Sequence, residues 1–212
     1  MKRFMVPLLA TVLLLAGCGE DMTLPATGTI YGDLVFVDGT PADGILVLVE
    51  GTGLSAVSDS RGRFIIGDVL AVDVHGMGKY YTVRGMGMQG TTSVGFLVGH
   101  FKVKGQQSYS VGTVTVPETG TITGTLQLEG MTDHSGVAVH LEGTSISTVS
   151  RADGSYTLDL VPAHSGYVVP CRREGFAAMT IHEMDVGGQM QPIRVDPGQT
   201  TDLGGAVLNA VP

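Results

Sequence analysis

Residues 137–142 read Val-Ala-Val-His-Leu-Glu, apolar at every second position, and Tyr156, Leu158 and Leu160 alternate in the same way with Thr157 and Asp159. A period of two puts alternate side chains on opposite faces, so both segments predict strands with one buried side. His140 falls on the outward side. Between these strands Arg151-Ala152-Asp153-Gly154, and earlier Asp59-Ser60-Arg61-Gly62, have the composition of hairpin turns. Glycine takes a positive φ without steric cost there, and aspartate bonds the neighbouring backbone. Further strands are predicted over 80–85, 109–116, 167–172, 177–184 and 201–208. No segment after residue 18 sustains a helical period, so the expected class is all-β.

The chain also repeats itself. At an offset of 92, Thr27-Gly28-Thr29-Ile30-Tyr31-Gly32 falls on Thr119-Gly120-Thr121-Ile122-Thr123-Gly124. Without a gap, Glu50-Gly51-Thr52 then meets Glu142-Gly143-Thr144, Val57-Ser58 meets Val149-Ser150, and Gly62 and Phe64 meet Gly154 and Tyr156. The register slips in the middle and returns at Val111-Gly112 and Leu203-Gly204. A unit of about 90 residues is too long for a solenoid and suits a small sandwich. Two tandem β-sandwiches are expected, over residues 27–117 and 118–212.

The copies differ in polarity. Copy two alternates as Gln127-Leu128-Glu129 and Val137-Ala138-Val139-His140-Leu141, whereas copy one has Val35-Phe36-Val37 and Ile45-Leu46-Val47-Leu48-Val49. The outward positions Val35, Val37, Leu46 and Leu48 are therefore apolar, and strands apolar on both sides usually have both sides covered. The expected cover is the second domain, the Gly/Met-rich stretch of the first, or another protein.

The start of the chain has a different pattern. Lys2 and Arg3 precede an apolar run from Met5 to Leu15, and the run closes on Leu15-Ala16-Gly17-Cys18. This has the three parts of an export signal, and it is shorter than the roughly 20 residues a membrane helix needs. Its last four residues resemble the lipobox of bacterial lipoproteins. That resemblance implies a signal peptide over 1–17, lipidation of Cys18, a tether over 18–26 and attachment to a membrane through the acyl chains. Gly19, in place of an aspartate, points to the bacterial outer membrane, on its periplasmic face or at the cell surface.

Loss of residues 1–17 leaves ten basic against twenty acidic residues, a net charge of −10. A nucleic-acid partner is excluded on that balance. Cys171 then has no second free thiol to pair with, so packing must hold the fold. Glycine, at 32 of 212 residues, is about twice its usual share, in keeping with many tight turns.

Candidate chemistry is sparse. His75, His100, His134, His140, His164 and His182 are scattered without metal-ligand spacing, and no G-x-S-x-G elbow or Walker loop occurs. Asp59, Asp153 and Asp159 lack the spacing of a calcium loop and are read as turn or strand residues. Cys171 lies on a predicted strand and is read as a small buried hydrophobe. No metal, cofactor or catalytic set is expected.

The order of features resembles the carboxypeptidase regulatory-like domain, a prealbumin-like (Ig-like) sandwich. Copy one supplies Gly28, Ile30 and Gly32, then Gly44-Ile45-Leu46-Val47, then Asp59 to Phe64. Copy two supplies Gly120, Ile122 and Gly124, Gly136-Val137-Ala138-Val139, Asp153-Gly154-Ser155-Tyr156, Val161-Pro162, Gly166-Tyr167-Val168-Val169 and Gly175-Phe176. Copy one departs from the pattern after Leu70, where Val74-His75-Gly76-Met77-Gly78-Lys79-Tyr80-Tyr81 replaces the family's Gly-Tyr. The resemblance implies two seven-stranded sandwiches with a non-catalytic role, as a structural or protein-binding module of the cell envelope. The alternative is a carbohydrate-binding accessory module, with Tyr80, Tyr81 and Tyr109 as the only platforms for a sugar ring.

Overall fold

A computed structural model describes residues 26–71, 78–184 and 190–211. The signal segment, Cys18, most of the tether and residues 74–77 of the Gly/Met-rich stretch lie outside the described residues. What is described is built of strands.

The first half forms β1 (Thr27–Phe36), β2 (Leu46–Val49), β3 (Ser55–Val57), β4 (Arg63–Leu70), β5 (Tyr80–Gln89), β6 (Thr92–Lys102) and β7 (Ser108–Val116). They make a three-stranded sheet, β4-β1-β7, and a four-stranded sheet, β3-β2-β5-β6. β1 runs antiparallel to β4 and parallel to β7. The inward rows Ile30, Leu34 and Phe36 of β1 and Val47 and Val49 of β2 meet Phe64, Ile66, Val83 and Phe96 in one buried core.

The second half forms β8 (Gly120–Leu128), β9 (Ala138–His140), β10 (Ser147–Val149), β11 (Ser155–Val161), β12 (His164–Tyr167), β13 (Val169–Arg172), β14 (Met179–Ile181), β15 (Glu183–Met184), β16 (Met190–Gln191), β17 (Ile193–Val195) and β18 (Thr200–Leu208). Three- and four-stranded sheets recur, as β11-β8-β18 and β10-β9-β13-β14, around a separate core that includes Ile122, Leu126, Val139, Leu141, Tyr156 and Leu158. Two short ribbons, β12–β17 and β15–β16, are added, so this half departs from a seven-strand count.

The repeat recurs in the bonding. Ser58 Oγ accepts from Ile45 N–H and donates to Ala42 O, and Ser150 Oγ accepts from Val137 N–H and donates to His134 O. Thr52 and Thr144, also 92 apart, each donate to the carbonyl three residues back and accept the N–H two residues on. Gly62 and Gly154 hold φ of 77° and 81°, each with its missing Cβ aimed at a backbone oxygen, that of Leu34 or Leu126. An L side chain is excluded at both by conformation and by space.

Several strand expectations need correction. The strand expected over 80–85 continues to Gln89 and is followed by β6, which the pattern did not show. Those expected over 167–172 and 177–184 are each broken into two. Inward side chains are absent at Gly85 and Gly87 because the Phe96 ring and Ile45 occupy their Cβ positions. The apolar alternation that marks a strand is lost there. His140 ends β9 half-buried instead of exposed.

Candidate protein-contact surface

β1 presents Ile30, Leu34 and Phe36 to the core, so Tyr31, Val35 and Val37 face the opposite way. Tyr31 pairs across the strands with Ile65 of β4, which is 69% exposed, and Val37 at the end of the row is 71% exposed. Val35 is half-buried beside Pro41. The equivalent positions of the second sandwich are Thr123, Gln127, Glu129 and Thr157, with Thr123 and Thr157 likewise paired. One architecture thus carries an apolar outer face in the first sandwich and a polar one in the second. A shallow hollow of about 390 Å³ lies on the apolar face, lined by Tyr31, Gly32, Asp33, Asp59, Arg63, Phe64 and Ile65.

The other outward pair lies elsewhere. Leu46 and Leu48 belong to β2, in the four-stranded sheet, so the four apolar outward positions divide between the two outer faces of the first sandwich. Leu48 is half-buried opposite Arg84, while Leu46, 36% exposed, sits opposite Met86. Leu46, Met86, Met88, Val94 and Leu160 line an apolar groove of about 350 Å³.

On this second outer face the two halves meet. Leu97 of β6 packs against the core of the second sandwich. Only residues 117–119 separate β7 from β8, and they pair with β6: Gly95 N–H donates to Pro117 O at 2.9 Å and Thr119 N–H to Ser93 O at 2.9 Å. Arg84 is 4% exposed, pairs with Glu50, and donates from Nη2 to Ser145 Oγ of the second sandwich at 2.8 Å. The turns Glu50-Gly51 and Gly143-Thr144, equivalent in the repeat, flank a cleft of about 400 Å³ over this contact.

Asp59, Asp153 and His134 make hydrogen bonds within the fold. Asp59 Oδ1 accepts the N–H groups of Arg61 and Arg63, and Asp153 Oδ1 accepts Ser155 N–H and its hydroxyl; these bonds hold both carboxyls below the usual range. Cys171 is fully buried, and burial pushes its thiol up to about 12, so it is no nucleophile at neutral pH. His134 Nδ1 accepts Leu128 N–H, a structural use no spacing announced. Among the described residues no three His, Cys, Asp or Glu side chains converge as metal ligands. Of the tyrosines considered for glycan stacking, Tyr81 is buried with its hydroxyl on Leu70 O, Tyr109 stacks on Phe101 at 4.3 Å, and Tyr80 is exposed. Tyr31 and Ile65 were missed as surface residues, although the offset of 92 sets them against two threonines and so carried the signal.

No protein-family model and no curated protein matches the chain. Among solved structures, it resembles a type II cohesin-X-dockerin complex from Acetivibrio cellulolyticus at 17% identity over 43% of this chain and 58% of that one, with a TM-score of 0.35. The streptococcal ancillary pilin matches at 12% identity over 90% of this chain and 64% of that one, with a TM-score of 0.31. BcpA, the major pilin subunit of Bacillus cereus, matches at 9% identity over 87% of this chain and all of its own length, also with a TM-score of 0.31. The chain thus spans less than two thirds of the cohesin-complex chain. The all-β architecture rests on the strand pairing itself.

Proposed function

We propose that the protein is a non-catalytic lipoprotein of the bacterial outer membrane, acylated at Cys18, whose paired sandwiches form a rigid module that binds another protein through the outer face of β4-β1-β7. Both sandwiches resemble carboxypeptidase regulatory-like domains. The observation that carries the reading is the contrast between Tyr31, Val35, Val37 and Ile65 in one copy and Thr123, Gln127, Glu129 and Thr157 in the other. The fold is built with polar residues at these positions, so folding alone does not call for the apolar set. Burying each apolar side chain against a partner would contribute about 1.5–3 kcal/mol. Tyr31 and Ile65 are exposed register partners, and Val37 is exposed further along the same face, beyond Asp33 and half-buried Val35.

The second copy supplies its own control. A variant carrying Tyr31→Thr, Val35→Gln, Val37→Glu and Ile65→Thr should fold with nearly unchanged melting temperature and lose the neighbour trapped by a photo-crosslinker placed at Asp33 in intact cells. An unchanged crosslinked species would sink the contact reading. Anchoring is tested separately: Cys18→Ser should abolish fatty-acid labelling and release the chain from the membrane fraction.

A further inference from the structure

After Lys2 the chain contains three lysines, Lys79, Lys102 and Lys104, and the fold gathers all three at one end of the first sandwich. Tyr80 and Lys102 are register partners on β5 and β6, with Lys102 Nζ 4.5 Å above the centre of the Tyr80 ring. Lys79 Nζ lies 5.3 Å from the centre of the Tyr81 ring. Lys104 follows in the loop to β7. All three lysines and Tyr80 are exposed.

The same end receives the tether. Ala71 N–H donates to Ala26 O at 2.8 Å, and Gln106 N–H donates to Thr27 O at 2.7 Å. Gly105 packs so closely on Ala26 that a Cβ there would lie 2.6 Å from the Ala26 Cβ. The loop that carries Lys104 is therefore built onto the first residues after the tether. Among the described residues, β4 brings Asp68 to this end, next to the register partner of Gly28, and Glu50, which shares a cleft with Tyr80, is paired with Arg84.

We infer that the end formed by Lys79, Tyr80, Lys102 and Lys104 docks on anionic phospholipid headgroups and sets the orientation of the module on the membrane. This rests on lipidation at Cys18, which would hold the patch within about 30 Å of the bilayer through eight residues of tether. Lysine ammonium groups pair with headgroup phosphates as point charges, and an exposed tyrosine suits the wet, half-apolar interface. Acyl chains alone fix distance and leave rotation free. An added basic contact within the screening length selects one face.

The full-length acylated protein is reconstituted in vesicles of phosphatidylcholine alone or with phosphatidylglycerol, and lysine acylation is followed residue by residue by mass spectrometry. Each lysine should react about fivefold more slowly on phosphatidylglycerol vesicles, corresponding to the usual contribution of a basic residue at an anionic surface, and high salt should remove the protection. Equal rates on both vesicles, with the protein floating on both, would overturn the docking and leave the anchor standing. Protection by free inorganic phosphate without vesicles would also overturn it, as it would show a phosphate site unrelated to lipid. Flotation on phosphatidylglycerol but not phosphatidylcholine would support the docking and overturn the anchor. The K79Q/K102Q/K104Q variant, in which no lysine of the patch remains to report, should lose that phosphatidylglycerol-dependent flotation by roughly a hundredfold in partitioning if the anchor fails, and retained partitioning would count against the patch.

Discussion

Tyr81 and Tyr167 close their sandwiches in the same way, each donating its hydroxyl to a carbonyl of the preceding strand region, Leu70 O at 2.6 Å and Pro162 O at 2.9 Å. Those acceptors are 92 residues apart, but the tyrosines are 86 apart, so the extra length of the first copy lies between Leu70 and Tyr81. From there the copies diverge. The strand after Tyr81 runs to Gln89 and returns through the eleven residues of β6, whereas its counterparts β13 and β14 have four and three residues. The longer hairpin has two uses in the first copy: its outer face carries the second sandwich through Leu97 and Arg84, and its root holds the lysines. The conserved frame sets the core, and the additions to it create the surfaces.

The deepest common element gives the largest expected effect. Gly62→Ala and Gly154→Ala should each destabilise their own sandwich by about 4 kcal/mol, combining left-handed backbone strain with a Cβ driven into a carbonyl oxygen. Denaturant unfolding should show similar losses in the two variants. A loss at one site only would break the equivalence of the copies.

Arg84 belongs to the divergent part, and Pro170 takes its place by register in the second copy, next to Cys171 just as Arg84 adjoins Gly85. Arg84→Ala would strand Glu50, which is 9% exposed, and remove the bond to Ser145, costing about 3 kcal/mol. Small-angle scattering should also show a broader spread of inter-domain arrangements. A variant that unfolds earlier without any change in scattering would assign Arg84 to the first sandwich alone.

The common frame was legible in sequence because its determinants are local: alternating rows, turn glycines, and serines and threonines that return at a fixed offset. The divergent part was not. Gly85-Met86-Gly87-Met88 runs past the strand expected over 80–85, because glycine on the inward side makes room for Phe96 and Ile45 and the apolar alternation is lost. The lysine end was hidden for another reason: Lys79 and Lys102 are distant in sequence, and only the hairpin register brings them together. Val35 and Leu46 look alike in sequence, yet they belong to different sheets, an assignment that strand order makes and composition does not.

A smaller effect is expected where the copies differ by one atom in the core. Tyr156 occupies the place of Phe64, and its hydroxyl is buried without a hydrogen-bond partner, held close to Gly124. Burial also pushes its pKa well above that of a free phenol. Tyr156→Phe installs the first copy's solution and should raise stability by about 1 kcal/mol, read as a higher melting temperature. A decrease would show that the hydroxyl is satisfied in solution.

The finest distinction lies in the turns. Arg63 N–H and Ser155 N–H are equivalent donors, and each is taken by a carboxylate from a different place in its turn, Asp59 at the first position and Asp153 at the third. Both folded-state values are depressed, so each group contributes stability above its unfolded value and loses it as pH falls through the folded value. The leading cause at Asp59 is the backbone N–H of Arg63, whereas at Asp153 it is the side-chain hydroxyl of Ser155. Ser155→Ala should therefore bring Asp153 part of the way back toward the ordinary carboxylate range, leaving the Ser155 backbone donor in place, while Arg63→Ala should move Asp59 less, because both of its backbone donors survive. Carboxyl carbon titration by NMR between about pH 2 and 6 reads both. Equal upward shifts would mean that the exposed Arg63 guanidinium, not the backbone, sets the first turn, and the two turns would then share only their shape.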